Sequence, residues 1–240
     1  TLHYASAVSG FTLTLPQVNG RLESQSISGP FNFKGTFNWN NSPVQAVLTS
    51  GKISGNLATD IKLTLTDSSK AVLGLTGKIE NLVRSADMTG GFSFNIPQLS
   101  RFLTNAVGYK DLPPSLEKPI VGTSTFVFSK DKAEFKDIAL RYGTEELENS
   151  STGTVTFTYP NLQNKLTRVY VSLLLSKLDV DAFRPLIPSS EEIQTRILGW
   201  SRSFKHELDL TLKAKDLSFG GDVLKESSLQ LLFQNGGLEV

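Results

Sequence analysis

Short segments in which apolar and polar residues alternate recur from one end of this chain to the other. Phe11-Thr12-Leu13-Thr14-Leu15 is the first, and Ile61-Lys62-Leu63-Thr64-Leu65, Gly91-Phe92-Ser93-Phe94-Asn95 and Leu208-Asp209-Leu210-Thr211-Leu212-Lys213-Ala214 obey the same rule. Successive side chains of a strand point to opposite faces, so each segment has one apolar face and one wetted face. A chain built almost wholly of such segments has one long apolar surface to dispose of. Its fold and its function both turn on how it does so.

The alternation predicts strands over Phe11–Leu15, Pro30–Trp39, Val44–Leu48, Leu57–Leu65, Ala71–Ile79 and Phe92–Ile96. A second set covers Gly122–Phe128, Ala133–Tyr142, Thr152–Tyr159, Arg168–Leu175, Glu207–Leu217 and Ser228–Gln234, and Leu238–Val240 starts another. Turn signals separate them: Asn40-Asn41-Ser42-Pro43, Thr66-Asp67-Ser68-Ser69, Ser129-Lys130-Asp131-Lys132, Gly220-Gly221-Asp222 and Asn235-Gly236-Gly237. Strands at such spacing form an antiparallel meander, a sandwich or a barrel. In one sheet, about a dozen strands about 4.8 Å apart would extend roughly 55 Å. Open sheets rarely exceed about ten strands without curling, and one curled with its apolar face inward is a groove. Two sheets facing each other satisfy the same pattern.

Two helices interrupt the ladder. In Pro97–Gly108, Leu99, Phe102, Leu103 and Val107 share a face, with Pro97 suited to the first turn and Gly108 to the stop. The second starts at Ser189-Ser190-Glu191-Glu192, a capping box, and continues with Ile193, Ile197, Trp200 and Phe204 at helical spacing. Its basic last turn, Arg202, Lys205 and His206, complements the helix dipole. Each helix is expected to pack its stripe on the sheet as a lid or end cap. For the second, contact with lipid or a partner through Trp200 and its basic neighbours is the alternative.

Composition narrows the function. A length of 240 residues suits one large all-β domain or two small ones, and a net charge of +1 gives no global attraction to nucleic acid. Phe31, Phe33, Phe37 and Trp39 imitate a base-stacking platform, but only Lys34 sits among them. With no Cys and two His there is no disulfide framework, no Cys-based metal site and no well-placed triad histidine. The acidic pairs Glu145-Glu146 and Glu191-Glu192 are adjacent residues, whereas paired catalytic carboxylates come from separate elements. Leu73-Gly74-Leu75-Thr76-Gly77-Lys78 lacks the spacing of a phosphate-binding loop. Asn40-Asn41-Ser42 and Asn149-Ser150-Ser151 match the glycosylation sequon, a short pattern. No segment would span a bilayer as a helix; Thr1–Gly20 is uncharged apart from His3 but interrupted by polar residues, Gly and Pro. The start at Thr1 and the end within a strand lead us to expect a fragment of a longer protein, truncated at both ends.

Ile96-Pro97-Gln98-Leu99-Ser100-Arg101-Phe102-Leu103 is similar to the Leu-rich helix of the AsmA-like family, and from Pro97 onward the order of blocks resembles that family. Lys118-Pro119-Ile120-Val121-Gly122 and a Phe-rich strand follow, then Ala133–Gly143, Gly153-Thr154-Val155-Thr156-Phe157 and Leu178-Asp179-Val180-Asp181-Ala182-Phe183. Leu208–Phe219 and Leu229–Val240 resemble the terminal hairpins. The match covers roughly residues 90–240; the first 90 match only in style. Tyr159-Pro160 stands where the family often has Arg-Pro, and 165–175 is longer than the pattern.

The resemblance implies a mainly β fold: a long curved antiparallel sheet forming a groove, with two or three short amphipathic helices, as one β-groove unit over residues 1–240. It implies a bacterial periplasmic protein tethered to the inner membrane by an N-terminal anchor absent from this fragment. Such a protein binds phospholipid or another membrane lipid and supports lipid transport and outer-membrane biogenesis. No nucleic acid, cofactor, metal or catalytic set is implied, so an enzyme is not expected. The groove would be lined by Phe92, Phe94, Phe126, Phe128, Leu173, Leu175, Leu208, Leu210 and Leu212. A non-catalytic β-sandwich acting as a scaffold or adhesion module fits the alternation equally well. An enzyme working on a polymer through surface carboxylates is a third reading.

Overall fold

The structure is a computed structural model and describes residues 1–5, 12–40, 42–54, 57–80, 87–108, 112, 114–143, 150–158, 167–183, 206–234 and 237–239. β1 (Leu2–Ala5) and β2 (Thr12–Leu15) form a two-stranded ladder. Then come β3 (Asn19–Ser24), β4 (Phe31–Trp39), β5 (Ser42–Ser50), β6 (Thr59–Asp67), β7 (Val72–Glu80) and β8 (Asp87–Ile96). Helix α1 (Leu99–Val107) and a single 3-10 turn (Pro114–Glu117) precede β9 (Ile120–Phe128), β10 (Lys132–Tyr142), β11 (Ser150–Thr158) and β12 (Thr167–Asp179). A one-turn helix α2 (Val180–Phe183), β13 (His206–Phe219), β14 (Asp222–Gln234) and β15 (Gly237–Glu239) complete the order.

β3 to β15 join one open sheet of thirteen strands, arranged in chain order from edge to edge. Among the described residues no second large sheet faces it. The predicted strands all occur, mostly extended by a few residues at their ends. β1 and β3 are additions. The expectation of an antiparallel sheet needs one correction: β12 and β13 pair in parallel, Val169 with Leu208 and Leu173 with Leu212. The chain leaves β12 at one margin of the sheet and enters β13 at the other, whereas the remaining neighbours within the sheet are antiparallel. Among the described residues α1 is the one helix longer than a single turn. The helix expected from Ser189 lies outside the described residues.

Turn chemistry fixes several registers. Gly220 and Gly221 have φ of +63° and +87° between Phe219 and Asp222, the two left-handed residues that a type I′ hairpin requires. Between β6 and β7 the Asp67 carboxylate accepts hydrogen bonds from the backbone N–H of Ser69 (2.8 Å) and Ala71 (3.0 Å), which closes the turn through a side chain.

Cross-strand partners share a face. Phe33 opposes Leu48, Leu48 opposes Leu63, Leu63 opposes Leu75 and Leu75 opposes Phe92. Farther along, Phe126 opposes Phe135, then Val155, Val171, Leu210 and Leu231 in turn. One face is therefore apolar from β3 to β14, and the other carries Thr, Ser, Asn, Lys and Glu. The phase survives an irregularity in β10. There Lys136 and Asp137 stand together between Phe135 and Ile138, and a bulge with Asp137 at φ +49° absorbs the extra residue. Phe135 and Ile138 both stay on the apolar side.

Backbones close in on that side. Gly77 and Gly90 oppose each other on it, and a β-carbon at Gly90 would lie 2.1 Å from the Thr76 carbonyl oxygen and 2.6 Å from the Gly77 Cα. On the polar face a β-carbon at Gly91 would meet nothing nearer than 3.9 Å. Gly90→Val is expected to lower stability by about 2 kcal/mol or more in urea unfolding, and Gly91→Val by clearly less. On the polar face, Lys132 and Lys136 each approach the Glu134 carboxylate to 3.1 Å and hold its pKa below the usual 4.5. A depressed carboxylate contributes stability above its unfolded pKa and loses it as pH falls through the folded one. Glu134→Gln is thus expected to cost up to about 1 kcal/mol at neutral pH, with the difference from the parent closing in acid.

Candidate functional site

The structure brings all nine sequence-predicted lining residues to the apolar face. Phe92 and Phe94 stand on β8, Phe126 and Phe128 on β9, Leu173 and Leu175 on β12, and Leu208, Leu210 and Leu212 on β13. They form two patches joined by β10 and β11, whose Ala133, Phe135, Val155 and Phe157 carry the surface across. Eight of the nine are half-buried, and only Phe126, at 1% exposure opposite Gly90, is sealed.

The phenylalanines touch in sequence. The Phe94 ring centroid lies 6.0 Å from that of Phe92, which lies 6.0 Å from Phe135. Phe135 is 5.5 Å from Phe128 and 6.5 Å from Phe157, and Phe128 stacks on Phe126 at 4.6 Å. Tilted and edge-on contacts suit the aromatic quadrupole, each adding about 0.5–1.5 kcal/mol beyond simple burial. The result is an uninterrupted aromatic track across β8 to β11. Half-buried apolar side chains on an uncovered sheet face can hold an apolar guest without any polar chemistry.

Sequence reasoning left out the other half of this face. Leu63, Leu65, Leu73 and Leu75 lie on it in β6 and β7, and Leu229, Leu231 and Phe233 in β14. The same parity rule that selected Leu208 to Leu212 selects them. The polar face carries charge pairs such as the Arg168–Glu207 ion pair (2.5 Å) across the parallel junction, with Val47, Val72, Val127, Tyr170 and Leu174 exposed singly among them.

No protein-family model, curated protein or solved structure matches this chain.

One margin of the face is roofed. α1 follows β8, with Gly108 in the left-handed conformation at its C-terminus (φ +83°) donating to the carbonyls of Leu103 and Thr104. Its exposed Ala106 carbonyl, an orphan of the last helical turn, accepts hydrogen bonds from the Trp39 indole N–H (2.8 Å) and the Asn40 side-chain amide (2.6 Å) at the end of β4. Asn105 reaches the turn between β6 and β7, donating to Ser68 Oγ at 3.1 Å. The helix thus bridges from β8 back to β4. Beneath it lies a cavity of about 320 Å³ bordered by Phe37, Val44, Leu65, Leu73, Phe102 and Ala106. Among the described residues no cluster of three metal-ligating side chains forms, and no helix is long and apolar enough to cross a membrane. The pairs Glu145-Glu146 and Glu191-Glu192 lie outside the described residues.

Partial cover has an energetic signature. Phe126→Ala is expected to cost about 3–5 kcal/mol, as in a closed core. Leu210→Ala, half-exposed on the same face, is expected to cost under about 2 kcal/mol. Urea midpoints of the two variants, at unchanged slope, measure this contrast.

Proposed function

We propose that this chain binds lipid acyl chains along the apolar face of its sheet, as a non-catalytic carrier or conduit for phospholipid. The observation that carries the reading is the continuous apolar face, in phase over β3 to β14 and only half-buried along most of its length. A protein that needed only a core would bury such a face against a second layer.

The curvature belongs to the same proposal. Backbone crowding at the Gly77–Gly90 pair and at Gly153, where a β-carbon would lie 2.2 Å from the Ser172 carbonyl oxygen, falls on the apolar side. Crowding on one side alone is what a sheet curled toward that side requires. The apolar face then lines a trough, and Thr, Ser and Lys face water on the outside. A diacyl lipid leaving a bilayer exposes about thirty methylenes at roughly 0.8 kcal/mol each, a barrier of about 20–25 kcal/mol. A greasy trough offsets most of that and leaves the head group solvated. No nucleotide, cofactor or metal enters the transfer.

The setting we propose follows from the resemblance of residues 90–240 to AsmA-like proteins. It is the periplasmic side of a bacterial inner membrane, where the chain would serve phospholipid traffic toward the outer membrane.

Phospholipid carrying a photoactivatable acyl chain is expected to crosslink to the purified protein. Leu210→Asp is expected to abolish the crosslink while the variant keeps its β circular dichroism and a cooperative unfolding transition. Crosslinking that persists at parent level in folded Leu210→Asp defeats the proposal. Loss of fold in that variant indicates a face closed by a second layer, the scaffold or adhesion reading.

A further inference from the structure

The cavity beneath α1 differs in kind from the open face. It is roofed by Phe102 and Ala106, one helical turn apart on the same side of α1, and floored by Phe37, Val44, Leu65 and Leu73 from four adjacent strands. Its volume of about 320 Å³ is roughly twice the ~150 Å³ in which an apolar cavity accommodates a benzene-sized guest.

Three polar side chains border it, and each is already engaged. Asp67 Oδ1 accepts from the Ser69 and Ala71 backbone N–H groups and from Ser69 Oγ (2.6 Å). Ser42 Oγ and Ser68 Oγ are 2.8 Å apart, and the Asn105 amide donates to Ser68. The Trp39 indole N–H is committed to the Ala106 carbonyl. A guest therefore meets an almost wholly apolar surface, and the Asn105 amide nitrogen is also within 3.5 Å of the second Asp67 carboxylate oxygen. A polar group brought in would lose its hydration without replacement. The floor of the cavity adjoins the aromatic track on the same face, since Leu73 opposes Phe94 in β8.

We propose that this cavity seats the methyl end of an unbranched acyl chain, with the rest of that chain lying on the open apolar face and its head group outside. The inference rests on the acyl-binding reading above and adds a fixed polarity to it: the terminal methyl points under α1. The helix then acts as a stop at this margin of the sheet.

Trp39 borders the cavity and makes a built-in reporter. The chain has two tryptophans, so Trp200→Phe leaves Trp39 alone. The probes are stearic acid with a nitroxide at its methyl end and stearic acid with a nitroxide next to its carboxylate. Binding of each is measured independently by equilibrium dialysis. The methyl-end label is expected to quench Trp39 fluorescence several-fold more than the carboxylate-end label at equal occupancy. Ala106→Met, which fills the cavity from a helical position, is expected to remove that difference while stearate still binds the open face. Equal quenching by the two bound probes, or stronger quenching by the carboxylate-end label, overturns this inference and leaves the acyl-binding reading standing. Absence of stearate binding overturns both. Should Trp200→Phe not fold, 19F-tryptophan labelling of the unaltered chain separates the two resonances, and paramagnetic broadening of the Trp39 signal replaces quenching with the same criteria.

Discussion

Phase is what the rest of this molecule depends on. Side chains alternate with period two, so a one-residue slip at any strand pair would carry that strand's apolar residues to the polar side. From β3 to β14 the registers avoid this, setting Leu against Leu or Phe, and Phe against Phe, Leu or Gly along much of the face. The bulge in β10 shows how closely the constraint is held. Lys136 and Asp137 break the alternation, and the backbone takes up the extra residue at Asp137 instead of letting Ile138, Leu140 and Tyr142 change sides. Thr125 Oγ1 then donates to the Asp137 carboxylate at 3.0 Å, which satisfies the bulged side chain from the neighbouring strand.

An apolar surface of this extent is treated in two ways within one chain. Around Phe37, Val44 and Ala46 it is buried, with Val18, Phe33 and Leu65 packed against the cluster. Along β8 to β13 it is half-open. α1 belongs to the first treatment. Its last-turn carbonyl is tied to β4 by two hydrogen bonds, and its apolar stripe faces the sheet without filling the space beneath. A cavity roofed by α1 at one margin and an open track beside it are thus two parts of one surface.

Parity made most of this legible in the sequence. Phe92, Phe94, Leu208, Leu210 and Leu212 read as one face because each is two residues from the next, and the structure keeps them there. Other features have no such signal. β3 contains a single large apolar residue, Leu22, exposed at 64% on an edge strand that pairs within the large sheet only with β4, so alternation has almost nothing to register. β8 begins at Asp87, earlier than its apolar residues suggest, because Gly90 and Gly91 carry no side chains to mark the period. Strand direction leaves no trace either: apolar and polar residues alternate identically in parallel and antiparallel strands, so the β12–β13 pairing could not be read. The contact between Trp39 and Ala106 joins residues 67 apart and needs the fold itself to bring them together. Burial of Phe126 beyond its neighbours is set by the empty site at Gly90, which no pattern along a single strand reveals.

The parallel junction divides the assembly of the sheet into two kinds of event. Phe219 and Asp222 pair across two residues, and Phe128 and Ala133 across a similarly tight turn, so such hairpins close with little loss of chain entropy. Val171 and Leu210 are thirty-nine residues apart, and nothing forms between β12 and β13 until that loop is drawn in. Local pairings form fast and distant ones slowly. β3 to β8 and β9 to β12 can therefore zip as two runs of hairpins that meet across the chain between Ile96 and Ile120, and the β13–β14 hairpin docks onto β12 afterwards, burying Val169, Val171 and Leu173 beside Leu208, Leu210 and Leu212 in one late step. During synthesis from the N-terminus, β12 is thus the growing edge that stays open longest.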